Sequence, residues 1–193
     1  MILDLQPPAD QMRQLALAVD DTQLADPTPC DGTDVATLLA HVVGLSLAFA
    51  DGARKVSGPT TSTPPGQVKP ELPEDWRSLL PHRLTQLVLA WRDPRAWEGV
   101  TTVGGITLPA PEMAYAANSE LVLHGWDLAA ATGQPFAVAE ENLEAAWQLV
   151  SSTPDDPAAR EGLFGPVIAV PADAPLLDRV LGGAGRHPRW PSG

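Results

Sequence analysis

The sequence predicts an all-α protein, a helix bundle interrupted by one small β-hairpin. Apolar residues recur at intervals of three and four along four long segments, which is the period of one face of an α-helix. Two short runs rich in β-branched residues flank Gly104-Gly105 within residues 97–110, a pattern typical of a two-residue hairpin turn. Helices that each bury one apolar face against the others form a bundle.

The first two helices are predicted from continuous apolar stripes. The first covers Asp10 to about Leu24. The second begins at an N-cap, either Thr33 or Asp34, and ends near Ala53. The stripes consist of Met12, Leu15, Ala16 and Val19 in the first helix and of Val35, Leu38, Leu39, Val42, Leu45 and Phe49 in the second.

The third helix keeps the helical period from Trp76 to Trp91, but Pro81 interrupts it. Proline lacks a backbone N–H and its ring clashes with the preceding turn, so we expect a kink or a restart at this point. The fourth helix is predicted to begin between Pro109 and Glu112. It ends at Gly133 because glycine is a preferred C-cap, and a fifth helix follows over residues 140–151.

The tail is predicted to form a short C-terminal extension with one helix. Residues 164–171 are expected to be extended, and the last helix is capped by Asp173. Residues 58–73, rich in Pro, Thr and Ser, are expected to form a loop that is too short and too central for a domain linker. We therefore expect residues 1–193 to form a single domain.

The composition argues against several classes of partner. The chain has 24 Asp and Glu against 12 Lys and Arg, a formal net charge of −12, and no basic cluster that would bind nucleic acid or an anionic membrane. No apolar run approaches the roughly 20 residues that span a bilayer, and the N-terminus lacks the pattern of a secretory signal. With a single cysteine and therefore no internal disulfide, the chain is expected to be cytoplasmic.

The segment ELVLHGWD, residues 120–127, places polar residues inside an otherwise apolar helix. Glu120 and His124 are four positions apart and lie one above the other on one helix face. They share this face with Met113, Ala117, Leu128 and Ala131. We expect the pair to point toward the bundle core, where a carboxylate without a partner is costly.

A third residue of the same kind lies on the second helix, where His41 borders the apolar stripe. Two imidazoles and one carboxylate on facing helices suit a divalent metal such as zinc, nickel or iron. A buried Glu–His hydrogen bond and a histidine at the core edge would explain the same residues. Their spacing alone does not decide between the two interpretations.

Other polar residues receive plainer interpretations. Asp127 follows His124 by three positions and could orient it, but a bond to a backbone group or to an arginine is the favoured role. Cys30 has no histidine beside it in the sequence and is interpreted as a small buried residue rather than a reactive thiol. His82 and His187 adjoin prolines and are expected at the surface or in loops.

Two segments carry a family resemblance. TPCDGTDVATLLAHVVG (residues 28–44) and ELVLHGWDLAAATGQP (residues 120–135) resemble the signature segments of the DinB-like superfamily. They resemble in particular the branch that contains the metal-binding domain of mycothiol-dependent maleylpyruvate isomerase. The ending, residues 164–190, is similar to that of a group of single-domain actinobacterial metal-binding proteins, so the resemblance covers most of the chain.

The resemblance implies a four-helix bundle with up-down-down-up helices and a divalent metal, most readily zinc, held by His41, Glu120 and His124. Members of the superfamily that are enzymes use a small thiol such as mycothiol. The resemblance therefore implies a thiol-dependent transferase or isomerase acting on a small electrophile. The isomerase has a further C-terminal domain that contributes to its active site, whereas this chain has a short tail, so maleylpyruvate isomerase activity is not expected to carry over.

Two hypotheses about function follow. The first is a metal-dependent enzyme of thiol chemistry. The second is a non-catalytic protein that is stabilised by the ion, or that senses the ion or a thiol. An open coordination position would favour the enzyme, and a closed one would favour a structural site.

Overall fold

The computed structural model describes residues 2–64 and 70–190. Within these ranges the chain forms eight α-helices and one antiparallel two-stranded sheet. The helices are α1 (Gln6–Leu17), α2 (Val35–Ala53), α3 (Pro59–Ser62), α4 (Trp76–Trp91), α5 (Ala110–Thr132), α6 (Glu140–Ser152), α7 (Pro157–Arg160) and α8 (Leu176–Gly183). The strands are β1 (Val100–Val103) and β2 (Ile106–Pro109).

Four helices form the bundle that the apolar stripes predict. Helices α1 and α2 each pack against both α4 and α5. The stripe residues predicted for the first two helices are all buried in this core, and one of them, Val19, lies just beyond the end of α1. Helix α2 is long and apolar enough to cross a membrane by length and composition alone, but 61% of its apolar window is buried inside the protein, as in the core helix of a soluble bundle.

A second, smaller core forms on another face of α5. Val122, Leu123 and Trp126 pack there with apolar residues of α6 and α8. Helix α5 is therefore buried between the bundle on one side and the C-terminal segment on the other. This position explains why its side chains are apolar over most of its circumference.

The first helix begins and ends earlier than predicted. Helix α1 runs from Gln6 to Leu17, and Pro7 and Pro8 lie in its first turn. The first N–H groups of a helix have no acceptor within the helix, so proline there costs little. At the other end, Asp20 caps a separate 3₁₀ turn, residues 21–23, with a capping box, which stops the helix before Leu24.

Helix α4 passes through Pro81 without a break, so the expected restart does not occur. Pro81 lies in the second turn, where the missing N–H costs one hydrogen bond, the bond to the carbonyl of Arg77. Leu80, Leu84 and Leu87 are fully buried on the same helix, and their burial holds the helix together.

The hairpin and both ends of α5 agree with the sequence prediction. Gly104 and Gly105 both have positive φ and join β1 to β2, with Val103 paired to Ile106. Helix α5 ends at Gly133, whose left-handed conformation forms the C-cap. The predicted loop over residues 58–73 contains the single-turn helix α3, and part of this loop, residues 65–69, lies outside the described residues.

The prediction for the tail is partly wrong. Asp173 does not cap the last helix: α8 starts at Leu176, after Pro175. The residue before a proline is disfavoured in the helical region, so Ala174 cannot join the helix. Residues 164–171 form no regular strand, although Ile168 donates a hydrogen bond to the carbonyl of Gly182 at 2.9 Å.

Candidate metal centre

Three side chains from two facing helices meet at one point. Helix α2 supplies His41, and α5 supplies Glu120 and His124. The Oε2 atom of Glu120 lies 3.2 Å from Nε2 of His41 and 3.1 Å from Nε2 of His124. One ligand atom from each residue can be chosen so that all three lie within 4.8 Å of one another. The sequence interpretation that these residues share one site in space agrees with this geometry.

The cluster is more open than the sequence suggested. The side chains of His41 and Glu120 are 41% and 36% exposed, whereas that of His124 is 10% exposed. Glu120 and His124 share a helix face, but only His124 is held inside the packed part of the molecule. The cluster is therefore partly accessible to solvent where α2 meets α5, rather than a buried core site.

Asp127 lies directly behind His124. Its Oδ2 atom is 3.0 Å from Nδ1 of His124, and the carboxylate is fully buried. This contact fixes the imidazole ring with Nε2 directed to Glu120. Asp127 therefore contacts both His124, the ring that it was expected to orient, and an arginine, the alternative partner.

The arginine partner is Arg186, which lies between α8 and the C-terminus. Its Nε and Nη2 atoms donate to the two carboxylate oxygens of Asp127 at 3.3 and 3.1 Å. Its Nη1 atom donates to the carbonyl of Ala184 at 2.9 Å. The C-terminal segment thus contacts the candidate metal centre through Asp127. Sequence reasoning missed Arg186 because it lies 59 residues from Asp127 in an irregular segment with no periodic pattern.

The charges of the cluster depend on one another. Burial acts to lower the pKa of His124, but the hydrogen bonds to Asp127 and Glu120 outweigh it and raise the pKa to about 10. Burial acts to raise the pKa of Glu120, yet hydrogen bonds from His124 and His41 hold it well below its ordinary value. Without a metal, His124 is therefore a cation between two carboxylates at neutral pH.

The pKa values of Asp127 and Arg186, which lie behind His124, are also shifted in favour of the charged forms. Burial acts to raise the pKa of Asp127, and His124 and Arg186 lower it below its ordinary value. Burial acts to lower the pKa of the Arg186 guanidinium, but Asp127, and less strongly Cys30 and Glu120, raise it. Each buried charge thus has an opposite charge in contact, as burial in a protein requires.

The burial that the sequence predicted for Cys30 is wrong. It is half-buried rather than buried, and a histidine does lie beside it in space. Its Sγ atom, a ring nitrogen of His124 and a carboxylate oxygen of Asp127 lie within 4.8 Å of one another. No signal in the sequence gives this contact, because residues 28–34 form a turn whose distance from α5 depends on the fold.

The other histidines lie in the surroundings that the sequence predicts. His82 is exposed, although on α4 rather than in a loop. His187 is half-buried in the C-terminal segment, where its Nδ1 accepts a hydrogen bond from the backbone N–H of Arg189 at 3.2 Å.

The donor set at His41, Glu120 and His124 suits a divalent metal ion. Two imidazole nitrogens and one carboxylate oxygen are a ligand set of catalytic zinc sites. Ligands at about 2.0–2.2 Å around a tetrahedral ion lie about 3.3–3.6 Å from one another. The two nitrogen–oxygen distances of 3.1 and 3.2 Å are close to this spacing.

The fold and the cluster together define a DinB-like helix bundle with a candidate metal centre. Residues 5–129 match the family model of the mycothiol maleylpyruvate isomerase N-terminal domain. The chain belongs to this family. The matched range contains His41, Glu120, His124 and Asp127, whereas Arg186 lies beyond it.

Two solved structures share the fold. A mycothiol-dependent maleylpyruvate isomerase matches with a TM-score of 0.59 and 20% identity, over 76% of this chain and 66% of the isomerase chain. A variant of such an isomerase, in which one histidine is replaced by alanine, matches with a TM-score of 0.59 and 18% identity, over 80% of this chain and 75% of that one. Comparison with curated protein sequences gives no match.

Proposed function

We propose that His41, Glu120 and His124 hold one divalent metal ion and that the protein is a thiol-dependent transferase or isomerase acting on a small electrophile. The observation that carries the proposal is the convergence of these three side chains from α2 and α5, with ligand atoms within 4.8 Å of one another. Zinc fits the two nitrogens and one oxygen best, and nickel or iron would accept the same donors.

The exposure of the cluster supports an enzyme over a structural metal site. Structural zinc sites are closed by four protein ligands, whereas catalytic sites have three and leave a position for another molecule. Here three donors converge, and the side chains of His41 and Glu120 are more than a third exposed. A small molecule can therefore reach the cluster from solvent.

The protein residues have separable roles in this proposal. Asp127 holds the ring of His124 so that Nε2 faces Glu120, and Arg186 holds Asp127. With neutral histidines and an ionised Glu120, a divalent ion keeps a net charge of about +1. When bound, such an ion would lower the pKa of a thiol brought to it and so supply a nucleophile at neutral pH.

The thiol is proposed from the family, and the electrophile from the net charge of the protein. The matched family is named for mycothiol, so mycothiol is the first thiol to test. The electrophile is proposed to be small and either uncharged or carboxylated. The chain spans 66% of the length of the similar isomerase, so isomerisation of maleylpyruvate itself is not part of the proposal.

The proposed setting is the cytoplasm, without a nucleic-acid or membrane partner. The formal net charge of −12 repels phosphate groups. The apolar helix α2 is used in the core and is not free to enter a bilayer.

The experiment that tests the proposal measures metal and thiol binding separately. Purified protein is analysed for metal content and loaded with zinc, and mycothiol binding is then measured by calorimetry. We expect one zinc per chain and saturable thiol binding in the zinc-loaded protein, with both lost in His124→Ala. A matched control, His82→Ala, removes an exposed histidine of α4 and should retain both.

Two results would contradict the proposal at different points. Zinc binding that survives His124→Ala would place the metal elsewhere. A fully zinc-loaded protein that binds neither mycothiol nor another small thiol would favour the non-catalytic metal-binding role.

A further inference from the structure

Gly44 is an exposed glycine inside α2, three positions after the candidate ligand His41. Glycine destabilises the interior of a helix relative to alanine, so a glycine there usually meets a need of the backbone or of the packing. Neither need applies to Gly44. Its φ is not positive, and no described atom lies within 4 Å of the place where a Cβ atom would stand.

Two other glycines inside the long helices do have packing reasons. A Cβ atom at Gly52, on the same helix, would lie 2.6 Å from Cγ2 of Val103. A Cβ atom at Gly125, on α5, would lie 3.1 Å from Cε2 of Phe136. At both positions the neighbouring side chain would have to move. Gly44 instead faces open space, so the packing of the chain does not account for it.

The position of Gly44 on α2 bears on the exposure of His41. Side chains on an α-helix lean toward its N-terminus, so a side chain at residue 44 would lie over the turn that carries residue 41. Gly44 has none, and the side chain of His41 is 41% exposed. A leucine or phenylalanine at residue 44 would extend over the outer edge of the imidazole.

The approach of a ligand to the candidate metal centre is from this side of the molecule. His124 is buried, and Asp127 lies directly behind it. His41 and Glu120 are the two candidate ligands that solvent reaches well. A molecule that binds an ion held by the three residues therefore comes in past His41 and Glu120, where α2 presents Gly44.

We propose that Gly44 is a specificity-determining residue of the candidate site. The free space at its position admits a thiol that carries a bulky polar group, and this group lies across α2 beside His41. The inference deepens the proposed function and rests on it, because it requires an ion with an open coordination position at His41, Glu120 and His124. The group is polar because the space at Gly44 is open to solvent.

The test uses the full chain loaded with cobalt(II), which accepts the same donors as zinc and reports added ligands through its absorption spectrum. Affinities are measured for a small and a bulky thiol, 2-mercaptoethanol and mycothiol. A second pair of probes is imidazole and 4-phenylimidazole. The variants are Gly44→Ala, Gly44→Leu and Gly44→Phe. The matched control, His82→Phe, places the same ring on an exposed position of α4.

The expected result is a loss of affinity that depends on the size of the probe. In Gly44→Phe, the affinity for mycothiol should fall about tenfold or more, and that for 2-mercaptoethanol should change less than about threefold. Gly44→Leu should be intermediate, and 4-phenylimidazole should be excluded in the same order. Gly44→Ala and His82→Phe should bind all four probes as the wild type does. Cobalt affinity should be unchanged throughout, because residue 44 is not a ligand.

Four results would contradict the inference, and they differ in what else they overturn. An unchanged ratio of bulky to small probe affinities in Gly44→Phe would overturn the inference alone. Loss of cobalt from a folded Gly44→Phe would do the same, since residue 44 would then act on the metal ligands and not on access. A wild type that binds no cobalt, or that binds cobalt and none of the four probes, would overturn the inference together with the proposed function. If the cobalt-loaded wild type binds the imidazoles but neither thiol, the proposed function fails and the two imidazoles decide the inference.

Discussion

Asp127 accepts a hydrogen bond from Nδ1 of His124 at 3.0 Å, and its two oxygens also accept hydrogen bonds from Arg186. Through Asp127, Arg186 of the C-terminal segment thus supports His124, a candidate metal ligand on α5. The part of the chain that matches the family ends at residue 129, so one support of the candidate site lies outside the family domain. The C-terminal segment consequently packs on α5 and also supports the candidate site.

Replacing Asp127 by Asn should weaken metal binding and destabilise the protein together. The amide keeps the size of the side chain but removes the charge that pairs with Arg186 and His124. Zinc affinity should fall about 10–100-fold because the ring of His124 is less firmly oriented. Removing one partner from a buried ion pair should cost about 3–5 kcal/mol of unfolding free energy.

The measurements for Asp127→Asn are zinc competition and denaturant unfolding in the presence of a chelator. Glu112→Gln is the matched control, since Glu112 is an exposed carboxylate on the same helix. Unchanged zinc affinity in Asp127→Asn would show that the hydrogen bond to His124 does not support a metal site.

Replacing His41 by Ala should abolish the stabilisation of the protein by zinc without disrupting the fold. The His41 side chain is 41% exposed, so its removal leaves no large cavity. For the wild type, zinc at about a hundredfold excess over Kd should stabilise the folded state by about 2.7 kcal/mol, or roughly 5–10 °C in Tm. His41→Ala should show a similar Tm in chelator and no rise with zinc.

The control for this comparison is His82→Ala, which removes a solvent-exposed histidine of α4. It should respond to zinc as the wild type does. A zinc-dependent rise in the Tm of His41→Ala equal to that of the wild type would remove His41 from the ligand set.

Spacing within one helix was sufficient to group Glu120, His124 and Asp127, because positions three, four and seven apart share a face. The approach of His41 to this face depends on how α2 packs against α5. A single sequence does not encode that packing locally, and the family resemblance supplied it. Arg186 gave no signal of either kind, since it lies 59 residues beyond Asp127 and is separated from α5 by three further helices.

The errors in the fold have local causes. The start predicted at Asp10 was too late, because Pro7 and Pro8 lie in the first turn of α1, where helical N–H groups have no partner and proline is well tolerated. Asp173 was chosen as a cap from its residue type, whereas Pro175 determines where α8 can begin. The exposure of Glu120 could not be predicted, because residues on one helix face differ in burial according to the neighbouring elements.

The stability of the metal-free protein should fall between pH 6.5 and pH 10 because of His124. Its pKa in the folded protein is raised to about 10 from an ordinary value of 6.5, since the hydrogen bonds to Asp127 and Glu120 outweigh the effect of burial. A group whose pKa is raised on folding contributes stability that is complete below the unfolded pKa and is lost as the pH rises through the folded pKa.

The test compares the Tm of the wild type and of His124→Gln in chelator across this pH range. Other groups titrate above pH 9, so the informative quantity is the difference between the two proteins. The Tm of the wild type should exceed that of the variant most at pH 6.5 and should approach it by pH 10. A difference that stays constant with pH would mean that His124 is not protonated between its two carboxylates.

Two helical glycines should respond in opposite ways to alanine, and the pair tests how the C-terminal segment packs. A Cβ atom at Gly44, an exposed position of α2, would have no neighbour within 4 Å, so Gly44→Ala should stabilise the protein by about 0.5–1 kcal/mol through helix propensity. A Cβ atom at Gly182 on α8 would lie 2.3 Å from Cγ2 of Val170 and 2.6 Å from the carbonyl oxygen of Ile168. Because a backbone atom cannot move aside alone, Gly182→Ala should cost about 1–3 kcal/mol.

Denaturant unfolding of both variants measures the two values. A Gly182→Ala protein as stable as the wild type would mean that residues 168–170 do not pack closely on α8.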